Sequence, residues 1–199
     1  SIMRVAERTF PLINPYNISQ KYQQVQMYAM FAGMPGEDAM ASYRRVTRYI
    51  GLFSIAIENE KDKIVKVSSY ADIEKALAEG KHAALVTIEG PTGLRGDPEI
   101  FREFYNFGIR IFGLAWHDSD LACCNKVLDE GREDTGLTEK GKEIVKFGNE
   151  LGIIFDVSHL SDKSFWDLIE IAKKPIIATH SNFRAVCNHS RNLTDDMAK

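Results

Sequence analysis

The sequence lacks an excess of positive charge and has no long apolar run. It carries 25 Lys and Arg against 28 Asp and Glu, which gives a net charge of -3. No basic field would therefore gather nucleic acid or anionic lipid around the chain. The longest apolar stretches, such as residues 50–57, are far shorter than the roughly 20 residues that cross a bilayer. We expect neither a nucleic-acid partner nor a membrane span.

Cysteine is scarce, and several well-known catalytic loops are absent. The three cysteines, Cys123, Cys124 and Cys187, form no C-x-x-C pair, which argues against a disulfide framework and a structural zinc site. The sequence contains no G-x-S-x-G, G-x-G-x-x-G or G-x-x-x-x-G-K-[ST] motif, so a serine-hydrolase elbow and a nucleotide-binding loop have no support.

The first ten residues, SIMRVAERTF, show no basic segment followed by an apolar one. We therefore find no secretion signal in the chain as given. Together with the odd number of cysteines, this predicts a cytoplasmic protein. Secretion or membrane attachment stays open, because the N-terminus could be truncated.

Short apolar runs alternate with amphipathic stretches after Gly80, which is typical of βα units and a parallel sheet. The predicted strands are residues 82–89, 109–117, 152–159 and 175–180, with a weaker one at 25–33. Helices are predicted over 37–58, over 70–79, from the N-cap Thr138 to Gly152, and from the N-cap Ser161 to before Pro175. Because an eight-unit barrel takes about 250 residues, the chain is either a smaller open α/β sheet or a barrel lacking some units. We treat residues 1–199 as a single domain.

Four residues that can bind a metal ion stand at the last position of the predicted strands: Glu89, His117, His159 and His180. In α/β barrels the C-terminal strand ends converge on the active site. Imidazole and carboxylate suit zinc and similar divalent ions, and a carboxylate can bridge two of them. The pattern therefore favours a metal site over a Ser/His/Asp triad.

Four segments carry a family resemblance. They are TIEGPTG, GIRIFGLAWHDSD, TGLTEKGKEIVKFGNELGIIFDVSHLSDKSFWDLIE and PIIATHSNFRAVCNHSRNLTDD. Over roughly residues 83–196 they resemble the membrane (renal) dipeptidase family of the metal-dependent amidohydrolase superfamily. The resemblance implies a (β/α)8 TIM barrel, incomplete, with about strands 2 to 6 present. It also implies a zinc-dependent dipeptidase that hydrolyses the peptide bond of a dipeptide through a metal-bridging hydroxide.

The resemblance also implies roles for five residues. Glu89 resembles the glutamate that bridges two zinc ions, and His159 and His180 resemble the two histidines of one ion. His117 resembles the histidine that contacts the substrate and polarises the tetrahedral intermediate. By this resemblance, Glu89 and His117 are the candidate catalytic residues. Arg191 resembles the arginine that holds the C-terminal carboxylate of the dipeptide, a two-pronged contact that suits guanidinium.

The sequence departs from the family pattern at both ends. The family's first strand ends in an H-x-D pair, and no H-x-D occurs in this chain. The chain also stops at Lys199, before the last two strands and the aspartate that would exchange protons near the hydroxide. We therefore expect a chain truncated at both ends that holds two zinc ions only in its complete form, and one or none on its own.

An open barrel exposes strand edges, so we expect it to associate, for instance as a homo-oligomer. Two alternatives stay open beside the dipeptidase. One is a non-catalytic barrel fragment or scaffold with a partial metal site. The other is a different amidohydrolase activity, such as deacylation of an N-acyl amino acid.

Overall fold

The computed structural model describes residues 25–32 and 36–199, and its centre is a parallel sheet. The strands are β1 (Val25–Phe31), β2 (Ile64–Val67), β3 (His82–Glu89), β4 (Ile109–Gly113) and β5 (Ile154–Asp156). They pair in the order β1, β3, β4, β5, while β2 pairs with the first half of β3. All pairings are parallel, as the alternation of apolar and amphipathic segments predicted.

Six helices cross over between the strands or follow them in the described residues. They are α1 (Ala39–Asn59), α2 (Tyr70–Ala78), α3 (Pro98–Asn106), α4 (Lys126–Asp129), α5 (Glu139–Leu151) and α6 (Asp162–Ile171), with 3-10 turns at Thr92–Leu94 and Asp196–Ala198. The predicted caps are confirmed, because the Thr138 and Ser161 side chains accept hydrogen bonds from Gly141 N and Ser164 N. Gly152 ends α5 with a φ of 80°, a conformation that glycine adopts without steric cost.

The two faces of β3 have different surroundings, because successive side chains of a strand point to opposite faces. Ala84, Val86 and Ile88 belong to the main core, which they share with α1 and the other outer helices. Thr87 and Glu89 face a cavity of about 270 Å³ that also includes residues of β1. The second face is therefore the interior of the barrel, and Thr87 lies beneath Glu89 on that face.

Two of the predicted strands are shorter than expected. The prediction over 109–117 was wrong beyond Gly113, where β4 ends, and the prediction over 152–159 was wrong outside Ile154–Asp156, the bounds of β5. Side chains bond to nearby backbone just beyond both ends: the Asp156 carboxylate accepts from Ser158 N at 2.9 Å, and Ser119 Oγ donates to Leu114 O at 3.0 Å.

The segment 175–180 forms one parallel bridge, between Ile177 and Asp156, instead of a strand. His117 and His159 therefore follow strands and His180 follows an isolated bridge, whereas Glu89 ends β3 as predicted. Residue 33 of the strand predicted at 25–33 lies outside the described residues. The structure adds β2 and α3, neither of which we predicted.

Candidate metal centre

Glu89, His159 and His180 bring one ligand atom each to a common point. Glu89 Oε1 lies 3.1 Å from His159 Nε2 and 3.2 Å from His180 Nε2, and the two imidazole nitrogens are 3.0 Å apart. A tetrahedral ion with bonds of about 2.0–2.1 Å keeps its ligand atoms about 3.3 Å apart. The triangle therefore has the size that a divalent ion of the zinc type requires.

Hydrogen bonds alone cannot account for all three of these contacts. An ionised carboxylate only accepts, and each neutral imidazole Nε2 either carries one proton or accepts one. If both Nε2 atoms carried protons, the contact between the histidines would join two donors; if only one did, at least one contact would join two acceptors. A cation shared by three lone pairs removes the conflict, so the donor set fits a metal ion.

The orientation of His180 is set by Thr179 and Asp156. The Thr179 hydroxyl donates to Asp156 Oδ2 at 2.5 Å and lies 2.7 Å from His180 Nδ1. Since its proton goes to Asp156, the hydroxyl accepts from Nδ1, which places the imidazole proton there. Nε2 then keeps its lone pair for the ion, the arrangement that metal-binding histidines typically have.

His159 reaches the site through an unusual backbone conformation. Its φ is 76°, a left-handed value that costs a non-glycine residue roughly 1–2 kcal/mol. The side chain packs near Trp116, with ring centroids 6.0 Å apart. Burial lowers the pKa of His159, while its bond to Glu89 acts in the opposite direction. Such burial favours the neutral imidazole that binds metal.

The Glu89 carboxylate is ionised over the whole physiological range. Burial on its own raises the pKa of this group, but its close contacts with the imidazoles of His159 and His180 outweigh burial and hold the pKa at about 2. The site therefore presents a permanent negative charge at the end of β3, between two imidazoles.

Arg191 lies close enough to this centre to exchange electrostatic effects with it. Burial lowers the pKa of its guanidinium, against the charges of Asp156 and Glu89. Its Nη1 donates to Ser181 Oγ at 2.7 Å, whereas Nη2 is buried without a hydrogen-bond partner among the described residues. A buried donor left unpaired costs free energy, so this atom is suited to an anionic ligand.

His117 lies beside a different cavity from the three ligands. That cavity, of about 430 Å³, is also lined by Asp118, Cys124 and Lys126. The ring of Trp116 lies between the two places, 4.7 Å from the His117 ring and 6.0 Å from that of His159, centroid to centroid. Of the four polar residues that we predicted to converge, the structure brings three to one point and places His117 next to it.

One participant was missed in the sequence. Asp156 supports His180 indirectly, because its carboxylate accepts a hydrogen bond from the Thr179 hydroxyl. Thr179 itself carried no signal other than its place directly before His180. An adjacent hydroxyl is too common in sequences to indicate such a role.

The fold and this centre together define a class: a partial TIM-type barrel with a carboxylate and two imidazoles at the C-terminal ends of its strands. The chain matches the family described as membrane dipeptidase (Peptidase family M19) over residues 12–199. It therefore belongs to that family.

Curated relatives are similar over part of their length. The chain is 35% identical over 141 residues to the uncharacterized protein in PQQ-III 3'region of Acinetobacter calcoaceticus, covering 69% of this chain and 45% of that protein. It is 29% identical over 156 residues to Dipeptidase verJ of Clonostachys rogersoniana, covering 78% and 40%. The chain thus spans about half the length, or less, of the curated relatives it matches.

Solved structures share the fold. A metallopeptidase from Rhodobacter sphaeroides, liganded with a phosphinate mimic of the dipeptide L-Ala-D-Ala, superposes with a TM-score of 0.87 at 19% identity, over 98% of this chain and 67% of that one. The probable dipeptidase PvdM from Pseudomonas aeruginosa gives a TM-score of 0.77 at 23% identity, over 87% and 46%. In the described part of the chain, no helix has the length and apolar character needed to cross a membrane.

Proposed function

We propose that the full protein is a zinc-dependent dipeptidase whose metal centre includes Glu89, His159 and His180. The observation that carries the proposal is the triangle of ligand atoms, with sides of 3.0–3.2 Å. The spacing of the three atoms fits a bound divalent cation, and no assignment of protons satisfies all three contacts as hydrogen bonds. Family membership and the relatives named as dipeptidases support the peptide bond of a dipeptide as the target.

In this proposal, three residues bind the metal ion and Arg191 binds the substrate. Glu89, His159 and His180 would hold the ion, and the second carboxylate oxygen of Glu89 would be available to a further ion. A bound divalent ion supplies Lewis acidity, which polarises a carbonyl and makes a water molecule more acidic. Arg191 binds the C-terminal carboxylate of the substrate, for which its unpaired Nη2 is available. That contact favours dipeptides over longer peptides, because the carboxylate must lie close to the scissile bond.

His117 is assigned to the substrate side of the centre. Burial lowers its pKa, as does the nearby charge of Lys126, and Asp118 acts against both. The imidazole is therefore neutral at physiological pH and able to donate one hydrogen bond to a carbonyl oxygen that gains negative charge. The cavity beside it provides room for a substrate side chain.

The test measures amino-acid release from a panel of dipeptides by the zinc-loaded full protein. We expect hydrolysis of Ala-Ala and little of its C-terminal amide. Glu89→Gln should lower kcat by at least about a hundredfold and reduce zinc content. Glu143→Gln, an exposed position on α5, should change neither.

Three results would overturn the proposal, and each has its own meaning. Retained hydrolysis and zinc content in Glu89→Gln would remove the residue from the site. Faster cleavage of N-acetyl amino acids than of dipeptides would indicate a deacylase. Stoichiometric zinc with no hydrolysis of either substrate class would indicate a scaffold with a metal site.

A further inference from the structure

Arg191 belongs to a closed loop of residues 182–193, which we call the 182–193 loop. Its ends are joined by backbone hydrogen bonds, from Arg184 N to Leu193 O and from Leu193 N to Asn182 O, both 2.8 Å. Loops with joined ends move as compact units whose position depends on a few outside contacts. Two outside contacts fix the 182–193 loop relative to the metal ligands.

The first outside contact is an ion pair with the start of α6. Arg184 Nη1 and Nη2 donate to the two carboxylate oxygens of Asp162, at 2.7 and 2.5 Å. Asp162 is the first residue of α6, directly after the N-cap Ser161. A two-pronged pair of this kind fixes orientation as well as distance. Arg184 Nη2 also donates to Ser190 O at 3.2 Å, the carbonyl that joins Ser190 to Arg191.

The second contact runs through the Ser190 hydroxyl. Ser190 Oγ accepts from Asn125 Nδ2 at 3.0 Å and donates to Asp129 Oδ2 at 2.7 Å. The backbone N–H of Asn125 donates in turn to the carbonyl of His159 at 2.8 Å. Asn125 therefore connects the backbone of a metal ligand to Ser190, the residue before Arg191.

We infer that Arg184 and Ser190 are positioning residues, which hold the Arg191 guanidinium at a fixed position relative to the metal centre. Arg191 is long and has many rotamers, and ordering such a side chain costs conformational entropy. The two contacts fix its backbone from both sides: one from α6, the other from the segment bonded to His159. The inference rests on the proposed role of Arg191 in binding a substrate carboxylate.

The test compares the affinity of the zinc-loaded full protein for two ligands, a phosphinate mimic of Ala-Ala and the C-terminal amide of the same mimic. The variants are Ser190→Ala and Arg184→Lys, which lose the paired hydrogen bonds, and Ser190→Thr, which restores a hydroxyl. We expect the first two to weaken binding of the carboxylate ligand by about 10–100-fold, the loss typical of charge-assisted hydrogen bonds. Binding of the amide should change by less than about threefold.

Two matched controls separate positioning from general stability. Ser54→Ala removes a hydroxyl that donates to Ile50 O on the outer helix α1. Arg110→Lys removes an arginine that donates to Ser68 O and Tyr105 O at the opposite end of the sheet. Neither should alter the ratio of the two affinities, even if either lowers the melting temperature.

The outcomes distinguish this inference from the proposed function. Arg191→Lys tests the role of Arg191 itself. If it abolishes the preference for the carboxylate ligand while Ser190→Ala and Arg184→Lys preserve that preference, Arg184 and Ser190 do not position Arg191, although Arg191 still binds the carboxylate. Equal weakening of both ligands would show a merely structural role and also overturn the inference. If the wild-type protein does not prefer the carboxylate, the inference fails together with the role of Arg191, and the separate hydrolysis assay decides whether the protein is a dipeptidase.

Discussion

Thr179 joins a metal-ligand candidate to a buried carboxylate: its hydroxyl lies 2.7 Å from His180 Nδ1 and donates to Asp156 at 2.5 Å. Asp156 also accepts from the backbone N–H of Thr179 at 3.1 Å, so the hydroxyl and the backbone are held by one group. This arrangement leaves the lone pair of His180 Nε2 for the metal position that it shares with Glu89 and His159.

Replacing Thr179 with Val should weaken metal binding without removing a ligand. The isosteric side chain leaves His180 Nδ1 without its acceptor, so the imidazole loses both its preferred tautomer and its orientation. Loss of such a supporting hydrogen bond typically lowers metal affinity by about 10–100-fold. Thr179→Ser keeps the hydroxyl and should stay close to the wild type. A competition titration with a chromophoric chelator measures the difference in zinc affinity. Equal affinities for the two variants would show that the Thr179 hydroxyl does not orient His180.

Two glycines in helices should respond to alanine in opposite directions. At Gly141, near the start of α5, a Cβ would overlap the carbonyl oxygen of Leu121, whereas at Gly51 in α1 it would meet nothing within 4 Å. Gly141→Ala should therefore lower the free energy of unfolding by about 1–3 kcal/mol, the usual cost of overpacking. Gly51→Ala should raise it by about 0.5–1 kcal/mol, because alanine loses less backbone entropy in a helix. Urea unfolding of both variants checks the contrast, and a stable Gly141→Ala would mean that α5 can move away from Leu121.

The helices could be predicted from the sequence because their ends are marked by local chemistry. Thr138 and Ser161 cap the helices that were expected from them. The same kind of signal marks α3, which begins with Asp97 as N-cap and Pro98 in its first turn. Such signals depend on neighbours in the chain, and a single sequence contains them.

The strand ends and the site could be predicted only in part, because they depend on residues far apart in sequence. The apolar character of 109–117 gives no sign that pairing stops at Gly113, since the end of a strand is set by its partner. The triangle of Glu89, His159 and His180 was recoverable from the order of the strands. The contacts of Thr179 and Ser190 were not, because each joins a common hydroxyl residue to a partner that only the fold brings near.

Asp134 should be important for stability although it lies outside the metal centre. Its carboxylate accepts from Ser161 Oγ at 2.6 Å and from Lys163 N at 2.9 Å, and it also accepts from Gly136 N at 3.1 Å. It therefore caps α6 from another loop. Asp134→Ala should lower the free energy of unfolding by about 1–3 kcal/mol, since it removes the acceptor of the Ser161 hydroxyl and of the Lys163 N–H in the first turn of α6.

The matched control for this prediction is Asp120→Ala, an exposed position in the preceding loop. Surface substitutions of that kind usually stay within about 0.5 kcal/mol. Thermal and urea unfolding of the two variants should therefore differ clearly. Equal stabilities would show that water replaces Asp134 at the start of α6.

The pH dependence of metal binding follows from the ligands' proton affinities. A ligand binds metal in its deprotonated form, so protons compete only below its pKa. The pKa of Glu89 is about 2, so this carboxylate is not protonated at any pH where the protein is handled. Burial lowers the pKa of His159 from its ordinary value, so its competition with protons begins only below about pH 6.5.

Zinc affinity should therefore be nearly constant between about pH 8 and 7, and protonation of His159 should lower it below about pH 6.5 by at most about tenfold per pH unit. Chelator competition at constant ionic strength measures the profile. His82→Gln is the control, because His82 begins the strand that Glu89 ends, and its loss should leave the profile unchanged. A tenfold fall between about pH 8 and 7 would require a ligand of higher pKa, such as a cysteine thiol, and would contradict the assignment of these three residues.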